Sequence, residues 1–284
     1  MTKQLLGKPV ADVLRQSLRE EIREIKAQGG KTPTLAILRV GDKKDDIAYE
    51  ERLKKNCLEM ELDCRSVSLP EAAPQETFLA TLDALNKDDD VHGILVLRPL
   101  PETIDSRLVS RAIDPSKDVD GMSFENTARI CSGDTSALAP CTAVAVIEIL
   151  RHYEPSLQGK EIVLVNRSMV LGKPLAMLLL NENATVTVCH SKTADLSAVT
   201  RRAEIVVTGV GRPGFFDESY FAPDAVVIDV GINFDDQGMC GDVVRGLGTV
   251  AAVTPVPGGV GTVTSVVLLH NVLRAMKLQN GGRY

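Results

Sequence analysis

The sequence predicts an α/β protein built from two domains. Segments of helical and of strand periodicity alternate from the first residues onward, which is typical of sheets flanked by helices. The chain has 284 residues, of which 44% are apolar, and this is enough for two domains with buried cores. Between Glu161 and Lys192 a strand, a turn, a helix and a second strand follow one another, the order of a parallel βαβ unit. We therefore expect an N-terminal α/β domain followed by a Rossmann-like parallel-sheet domain.

The first half of the chain begins with an amphipathic helix. Between Lys8 and Lys26, apolar residues recur at helical spacing, and Gly29 and Gly30 end the pattern. The elements predicted after it are strands at 33–40, 65–69 and 93–97 and helices at 47–60 and 75–85.

The second half begins after a predicted loop region, Asp114 to Pro140. Further predicted elements are helices at 142–153, 175–180 and 264–276 and strands at 162–165, 185–189, 205–208 and 226–230. We expect one domain to comprise residues 1–139 with the C-terminal segment 264–284, and the other to comprise residues 140–263.

The predicted βαβ unit carries the features of a dinucleotide site. A buried strand runs into a polar turn and then into a helix, whose N-terminus favours phosphate. The expected cofactor-binding residues are Asn166, Arg167, Ser168, Gly172, Lys173, Pro174, His190, Ser191, Gly209, Val210, Gly211, Gly231 and Ile232. This pattern indicates an oxidoreductase.

A G-x-G-x-x-G fingerprint occurs later, from Gly209 to Gly214, with Asp229 placed 20 residues after Gly209. Pro213 and the short gap before the apolar run at Ala225 leave little room for a crossover helix. We interpret this fingerprint as a tight glycine-rich loop after a strand.

The end of the second βαβ strand favours NADP over NAD, with NAD as the alternative. An NAD site usually has Asp or Glu there to accept hydrogen bonds from the ribose hydroxyl groups. Here the residues are His190, Ser191 and Lys192, and Arg167 lies in the preceding turn. Donors and cations of this kind suit a 2′-phosphate.

Charge and composition exclude several classes of protein. A formal charge of −6 disfavours a nucleic-acid partner. The six cysteines show no C-x-x-C or metal-ligand spacing, which indicates reduced thiols, no metal site and a cytoplasmic protein. The N-terminus lacks the apolar segment of a signal peptide, and no apolar run is long enough for a membrane span.

Several segments together resemble the bifunctional methylenetetrahydrofolate dehydrogenase/methenyltetrahydrofolate cyclohydrolase family. They are Gly93 to Val96, Pro99-Leu100-Pro101, Lys117 to Gly121, Pro140-Cys141-Thr142, Ala184 to Ser191 and Thr254 to Gly261. The resemblance implies two α/β domains facing each other across a cleft, a homodimer, and NADP or NAD on the second domain. It also implies oxidation of 5,10-methylenetetrahydrofolate followed by hydrolysis to 10-formyltetrahydrofolate, within one-carbon metabolism and purine biosynthesis.

The resemblance also implies site residues. Tyr49, Asp120 and Cys141 match the catalytic positions, with Asp120 at the position of the aspartate that binds the pterin ring. The substrate-binding positions are Tyr49, Leu97, Pro99, Asp120, Pro257, Gly258 and Gly259.

Two of the positions that depart from the family pattern bear directly on the chemistry. The lysine four residues after the tyrosine is Leu53, and the glutamine of Gly-Ile-Leu-Val-Gln-Leu-Pro is Leu97. Lys54 lies about 100° further round the helix, and Arg98 is expected to face away from Leu97, so both are interpreted as solvated charges. Because a leucine cannot move a proton, we expect a dehydrogenase with weak or absent cyclohydrolase activity.

Three alternatives remain open at this point. The chain is an ordinary bifunctional enzyme in which Lys54 or water substitutes for the lysine, a non-catalytic folate- or nucleotide-binding paralogue, or a dehydrogenase for another one-carbon adduct. The NADP-type turn and strand end disfavour the non-catalytic paralogue.

Overall fold

A computed structural model describes residues 2–281 and divides the chain into two compact units. One unit contains residues 13–141 and 265–281, and the other contains residues 2–12 and 142–264. The N-terminal segment therefore differs from the predicted domains: residues 2–12 belong with the second half of the chain, not the first. The last part of the predicted C-terminal segment, residues 282–284, lies outside the described residues.

The helices and strands alternate over most of the chain, as the sequence pattern predicts. In chain order they are β1 (Lys3–Gln4), α1 (Gly7–Ala27), β2 (Thr34–Val40), α2 (Lys44–Glu59), β3 (Asp63–Leu69), α3 (Gln75–Lys87), β4 (Gly93–Val96), α4 (Ser106–Ala112), α5 (Phe124–Ser132), α6 (Cys141–Tyr153), β5 (Glu161–Val165), α7 (Gly172–Asn181), β6 (Thr185–Cys189), α8 (Leu196–Thr200), β7 (Ile205–Thr208), β8 (Val226–Asp229), β9 (Asn233–Asp235), β10 (Gly238–Cys240), β11 (Ala252–Val253) and α9 (Val260–Gln279).

The first unit is built on a three-stranded parallel sheet in the order β3-β2-β4. Every residue of β2 and β4 is buried, which explains their continuous apolar sequences. The segment after α4 extends the sheet, because Ile94 forms a parallel bridge with Asp118. This pairing places the Lys117 to Gly121 segment alongside β4.

The second unit contains a six-stranded parallel sheet in the order β1-β11-β8-β7-β5-β6. Lys3 and Gln4 join it by pairing with Ala252 and Val253, which is why the N-terminus belongs to this unit. Between β7 and β8 the chain forms only a short 3₁₀ turn, Glu218–Tyr220, and no α-helix among these described residues. The loop interpretation of the later glycine fingerprint agrees with this connection.

Some of the predicted elements differ from the observed ones. The region from Asp114 to Pro140 contains helix α5, which Ser123 caps by accepting a hydrogen bond from the backbone N–H of Asn126. The last helix begins at Val260 rather than at Thr264.

Within residues 2–281, no helix has the length and apolar character needed to cross a membrane.

Candidate functional site

The first cluster of predicted site residues lies in the unit of the three-stranded sheet. Tyr49 is half-buried on α2, and its burial raises the pKa of the phenol, with Cys141 and Asp120 near enough to raise it further. The backbone N–H of Cys141 points to Asp120 Oδ1 at 3.4 Å. The structure therefore brings together Tyr49, Asp120 and Cys141, the three residues predicted as catalytic.

Cys141 contacts Asp120 through its backbone N–H, while its thiol is buried and bonded elsewhere. The side chain is 2% exposed, and Sγ lies 3.3 Å from the carbonyl oxygen of Val119, to which the thiol donates. Burial raises the pKa of the thiol, and the neighbouring Asp120 adds to this effect. A buried, protonated thiol is a poor nucleophile.

The two carboxylates of the Lys117 to Gly121 segment have different roles. Asp118 is fully buried and accepts hydrogen bonds from the backbone of Met122 and Ser123 and from Asn126 Nδ2, so it organises the start of α5. Asp120 has a side chain 23% exposed, and its partners are the N–H of Cys141 and the guanidinium of Arg98. Asp120 is therefore the carboxylate of this segment that remains accessible to a ligand.

The expectation that Arg98 is a solvated charge was wrong. Its Nη2 lies 2.6 Å from Asp120 Oδ2, and its side chain is only 29% exposed. Strand alternation does not apply at this point because β4 ends at Val96. Sequence reasoning missed this residue, and the sequence offered one signal for it: an arginine where the family pattern has a leucine.

Leu53 and Leu97 place apolar groups where the family pattern has lysine and glutamine. Leu53 is fully buried on α2, one helical turn after Tyr49, and Leu97 is 7% exposed directly after β4. The backbone N–H of Leu97 donates to Leu38 O at 3.0 Å, which anchors this position to the sheet. Neither side chain can donate, accept or transfer a proton.

Lys54 belongs to a buried ion-pair network on another face of α2. Its Nζ lies 2.8 Å from Glu50 Oε1, and Arg39 Nε on β2 lies 2.8 Å from Glu50 Oε2. Burial alone would raise the pKa of Glu50, but hydrogen bonds from Lys54, Ser66 and Arg39 outweigh it and hold the pKa at about 2. Lys54 follows Glu50 by four residues, so it shares the face of Glu50 rather than that of Tyr49.

Arg52 is a further cation beside the cluster that the sequence reasoning did not identify. Its guanidinium carbon lies 5.1 Å from the centroid of the Tyr49 ring, within the range of a cation–π contact. The three-residue spacing of Tyr49 and Arg52 on α2 is the signal that could have revealed it.

The predicted cofactor residues lie at one edge of the six-stranded sheet. Val165 at the end of β5 pairs with Cys189 of β6 and with Thr208 of β7, so the loops that follow these strands are neighbours. The carboxyl edge of a parallel sheet is where such folds bind nucleotides.

Asn166 fixes the turn between β5 and α7. Its Oδ1 accepts hydrogen bonds from the backbone N–H of Ser168 at 2.8 Å and of Gly172 at 3.0 Å, and its Nδ2 donates to Gly209 O. A Cβ on Gly172 would lie 2.1 Å from the carbonyl oxygen of Asn166, so only glycine fits this approach. The turn leaves Arg167 and Ser168 exposed.

The turn after β6 is also fixed internally. His190 Nδ1 accepts from the backbone N–H of Lys192 at 3.1 Å, and the His190 N–H donates to Thr193 Oγ1 at 2.9 Å. Ser191 and Lys192 remain exposed at the same edge as Arg167. The cations Arg167 and Lys192 and the hydroxyl of Ser191 therefore lie on two neighbouring loops. Residues 190–193 include no carboxylate.

The glycine-rich loop after β7 is filled by a side chain of the protein. Asp242, which is fully buried, accepts from the backbone N–H groups of Val210, Gly211 and Arg212. Asp229 is also buried and accepts from the backbone of Gly231, and burial raises its pKa to about 6. The N–H groups of Val210 and Gly211 thus face Asp242, and Asp229 is unavailable to a ribose.

The remaining predicted residues are placed as follows. Pro257, Gly258 and Gly259 precede α9 in the unit of the six-stranded sheet, where the N–H of Gly7 donates to Gly258 O at 2.8 Å. Ile232 is 61% exposed after β8, and Gly231 packs against Asp242. Lys173 is exposed, and Pro174 is buried in the first turn of α7.

Among residues 2–281, no cluster of three or more His, Cys, Asp or Glu side chains is placed to hold a metal ion.

Comparison with known proteins identifies two family domains along the chain. Residues 5–120 match the catalytic domain of the tetrahydrofolate dehydrogenase/cyclohydrolase family, and residues 140–280 match its NAD(P)-binding domain. Over 282 residues the chain is 45% identical to "Bifunctional protein FolD 1" of Desulfitobacterium hafniense, covering 98% of this chain and 100% of that protein.

Two solved structures are similar over nearly their whole length. The bifunctional FolD enzyme of Campylobacter jejuni has a TM-score of 0.95 and 36% identity, covering 98% of this chain and 100% of that one. The Trypanosoma brucei enzyme, complexed with NADP cofactor and inhibitor, has a TM-score of 0.92 and 33% identity, covering 99% of each chain.

Proposed function

This chain belongs to the tetrahydrofolate dehydrogenase/cyclohydrolase family, and we propose that it performs mainly the first of the two reactions. It oxidises 5,10-methylenetetrahydrofolate with NADP and hydrolyses the resulting methenyl cation weakly or not at all. The observation that carries this proposal is the pair of buried leucines, Leu53 and Leu97, at the positions of the lysine and glutamine.

The two reactions make different demands on the protein. In the oxidation a hydride leaves the methylene carbon with its electron pair for NADP, and the two adjacent folate nitrogens stabilise the cation that remains. The protein's part is then mostly to hold the folate in place. Hydrolysis adds water to that carbon and releases a proton, which calls for a polar group that can accept or donate one.

The retained groups suit the first reaction. Asp120 is accessible and can accept hydrogen bonds from the N–H groups of a pterin ring, and the half-buried Tyr49 offers an aromatic face beside it. The groups needed for the second reaction are missing at positions 53 and 97. Lys54 does not replace them, since Glu50 and Glu51 hold its ammonium group at 2.8 and 2.7 Å.

The loops at the carboxyl edge of the six-stranded sheet suit NADP. Arg167 and Lys192 supply positive charge and Ser191 supplies a donor, which together favour a 2′-phosphate over a free ribose hydroxyl. The Trypanosoma brucei relative was solved with NADP, which supports the same cofactor here. Gly172 permits the close approach of the Asn166 backbone and so shapes the turn that precedes α7. The N-terminus of a helix at this place in a βαβ unit favours a dinucleotide phosphate.

Family membership supports three further proposals. The protein acts in the cytoplasm in one-carbon metabolism, including the supply of purine biosynthesis, and it works as a homodimer. The dimer is tested by light scattering of the purified protein, which should give twice the mass of the chain.

A paired assay on the purified protein tests the proposed function. One arm follows NADP and NAD reduction with 5,10-methylenetetrahydrofolate, and the other follows loss of methenyltetrahydrofolate absorbance above the spontaneous rate. Dehydrogenase turnover without cyclohydrolase turnover is expected. Comparable rates in both arms would show that the protein is an ordinary bifunctional enzyme. No turnover in either arm would favour a non-catalytic paralogue or a dehydrogenase for another one-carbon adduct.

A further inference from the structure

Arg98 is an unusual feature of the folate-site cluster, since the family pattern has an apolar residue at its position. Its Nη2 lies 2.6 Å from Asp120 Oδ2, and both side chains are mostly shielded from solvent, at 29% and 23% exposed. A charge-assisted hydrogen bond of this length in a partly buried site is stronger than the same pair on an open surface. The pair therefore has a defined geometry that surface ion pairs usually lack.

The backbone explains why these two residues meet. The segment containing Asp118 pairs in parallel with β4 through Ile94, so Asp120 lies alongside the end of that strand. The Leu97 N–H is bonded to Leu38 O, which fixes the chain just before Arg98. Arg98 and Asp120 are thus presented to one another by two neighbouring backbone segments of the same sheet.

The hydrogen bonds within the protein use about half of the acceptor positions of the Asp120 carboxylate. A carboxylate offers about four lone-pair positions. Arg98 uses one on Oδ2 and the N–H of Cys141 uses one on Oδ1, so each oxygen keeps one further position. Two such acceptors side by side match the adjacent N–H and NH₂ donors on the edge of a 2-amino-4-oxopyrimidine ring, the ring that a reduced folate carries.

The geometry points to Arg98 as a positioning residue for folate recognition, which fixes the plane of the Asp120 carboxylate so that its two free lone pairs meet the pterin edge. This inference rests on the proposed function for the identity of the ligand. Arg98 also neutralises the charge of Asp120, so the pair adds no net charge at the pterin edge. A guanidinium carries only N–H donors and no acceptor, so Arg98 cannot act as the base that hydrolysis needs.

The decisive variant is Arg98→Leu, which installs the residue of the family pattern. We expect the KM for 5,10-methylenetetrahydrofolate to rise about tenfold, as for the loss of one charge-assisted hydrogen bond, with kcat changed by less than about threefold. The KM for NADP should stay unchanged. Arg98→Lys should recover part of the loss, because an ammonium can still donate one hydrogen bond to Asp120.

Arg65→Leu is the matched control. It removes another arginine of the same unit that pairs with an aspartate, Asp88, at 2.9 Å, but with a side chain 48% exposed. The KM of Arg65→Leu for 5,10-methylenetetrahydrofolate should equal that of the unchanged protein. Circular dichroism and thermal unfolding show whether each variant is folded. If Arg98→Leu does not fold, Arg98→Gln takes its place in the same assays.

Binding of tetrahydrofolate, measured by calorimetry, separates the two proposals. If the unchanged protein binds tetrahydrofolate but does not reduce NADP, the proposed function fails, whereas a weaker Kd in Arg98→Leu still supports the role of Arg98. If Arg98→Leu and Arg65→Leu both keep the unchanged Kd and KM, Arg98 is an ordinary ion pair and the inference is overturned.

Discussion

The ammonium group of Lys54 lies 2.8 Å from the carboxylate of Glu50, whose other oxygen binds Arg39 at the same distance. This relationship matters because Lys54 is the lysine nearest in sequence to position 53. Its charge is already used to compensate a carboxylate that is 5% exposed. Withdrawing it toward Tyr49 would leave Glu50 with less compensation in a site where burial disfavours a lone charge.

Restoring the missing polar pair should restore hydrolysis. The double variant Leu53→Lys, Leu97→Gln is expected to raise the cyclohydrolase rate by about a hundredfold or more, the usual contribution of a positioned acid or base. The rate of methenyltetrahydrofolate loss measures it. Leu58→Lys is the control, because it adds a lysine to the same helix at a position 78% exposed. An unchanged rate in a folded double variant would show that other groups limit hydrolysis.

Glu50→Gln should destabilise the unit of the three-stranded sheet. It removes the buried carboxylate that binds Arg39 Nε and leaves the guanidinium with the exposed Asp42 and the carbonyl oxygen of Gly41. Loss of a hydrogen bond between charged groups lowers the free energy of unfolding by about 1.5 to 3 kcal/mol. Urea unfolding measures the change. Glu51→Gln, one residue further on and more exposed, should change the same free energy by less than about 1 kcal/mol. Equal effects of the two variants would contradict the importance of the buried network.

The contribution of Glu50 to the free energy of unfolding should depend on pH. The Glu50 pKa is about 2 in the folded protein against an ordinary value of 4.5. Its stabilising contribution is therefore complete above pH 4.5 and is lost as the pH falls toward about 2. The stability difference between the unchanged protein and Glu50→Gln should shrink across this window, and a constant difference would contradict it.

Asn166→Ala should weaken cofactor binding without affecting folate binding. Asn166 satisfies the N–H groups of Ser168 and Gly172 and thereby holds the turn before α7. Loss of such a side-chain hydrogen bond costs about 1 kcal/mol, and a turn that is held less firmly should raise the KM for NADP several-fold. Asn181→Ala, at the other end of the same helix, is the control. A KM for NADP equal to that of the control would argue against this role.

Arg167→Ala should reduce the preference for NADP. The ratio of kcat/KM for NADP to that for NAD is expected to fall about tenfold, since a cation on the 2′-phosphate is lost while contacts shared by both cofactors remain. Arg201→Ala removes an exposed arginine that follows α8 and should leave the ratio unchanged. A proportional loss with both cofactors would place Arg167 at the shared part of the dinucleotide.

The sequence predicted most elements because their apolar residues follow a helical or strand period. Helix α5 was missed because its inward face is polar: Asn126 is one of its two buried residues, with Ile130. Its ends did carry signals, Ser123 as the N-cap and Gly133 with φ of 74° as the C-cap. The pairing of Lys3 with Ala252 joins residues far apart in the chain, and no local pattern reveals such a contact.

At the candidate site, the sequence predicted Tyr49, Asp120 and Cys141 through its family resemblance, and the structure places these three residues close together. It did not predict the Arg98–Asp120 contact, because strand alternation was extended beyond the residue at which β4 ends. It also could not show that Asp242 fills the glycine-rich loop, since this contact depends on two loops meeting in three dimensions.

The most direct measurement is the identity of the product when the purified protein oxidises 5,10-methylenetetrahydrofolate with NADP. Methenyl- and 10-formyltetrahydrofolate are quantified together at early times, against a sample in which methenyltetrahydrofolate hydrolyses without protein. We expect methenyltetrahydrofolate to accumulate in step with NADPH, with 10-formyltetrahydrofolate formed only at the spontaneous rate. If 10-formyltetrahydrofolate instead appears in step with NADPH, the protein hydrolyses its own product, and the leucines at 53 and 97 do not mark a single-step enzyme.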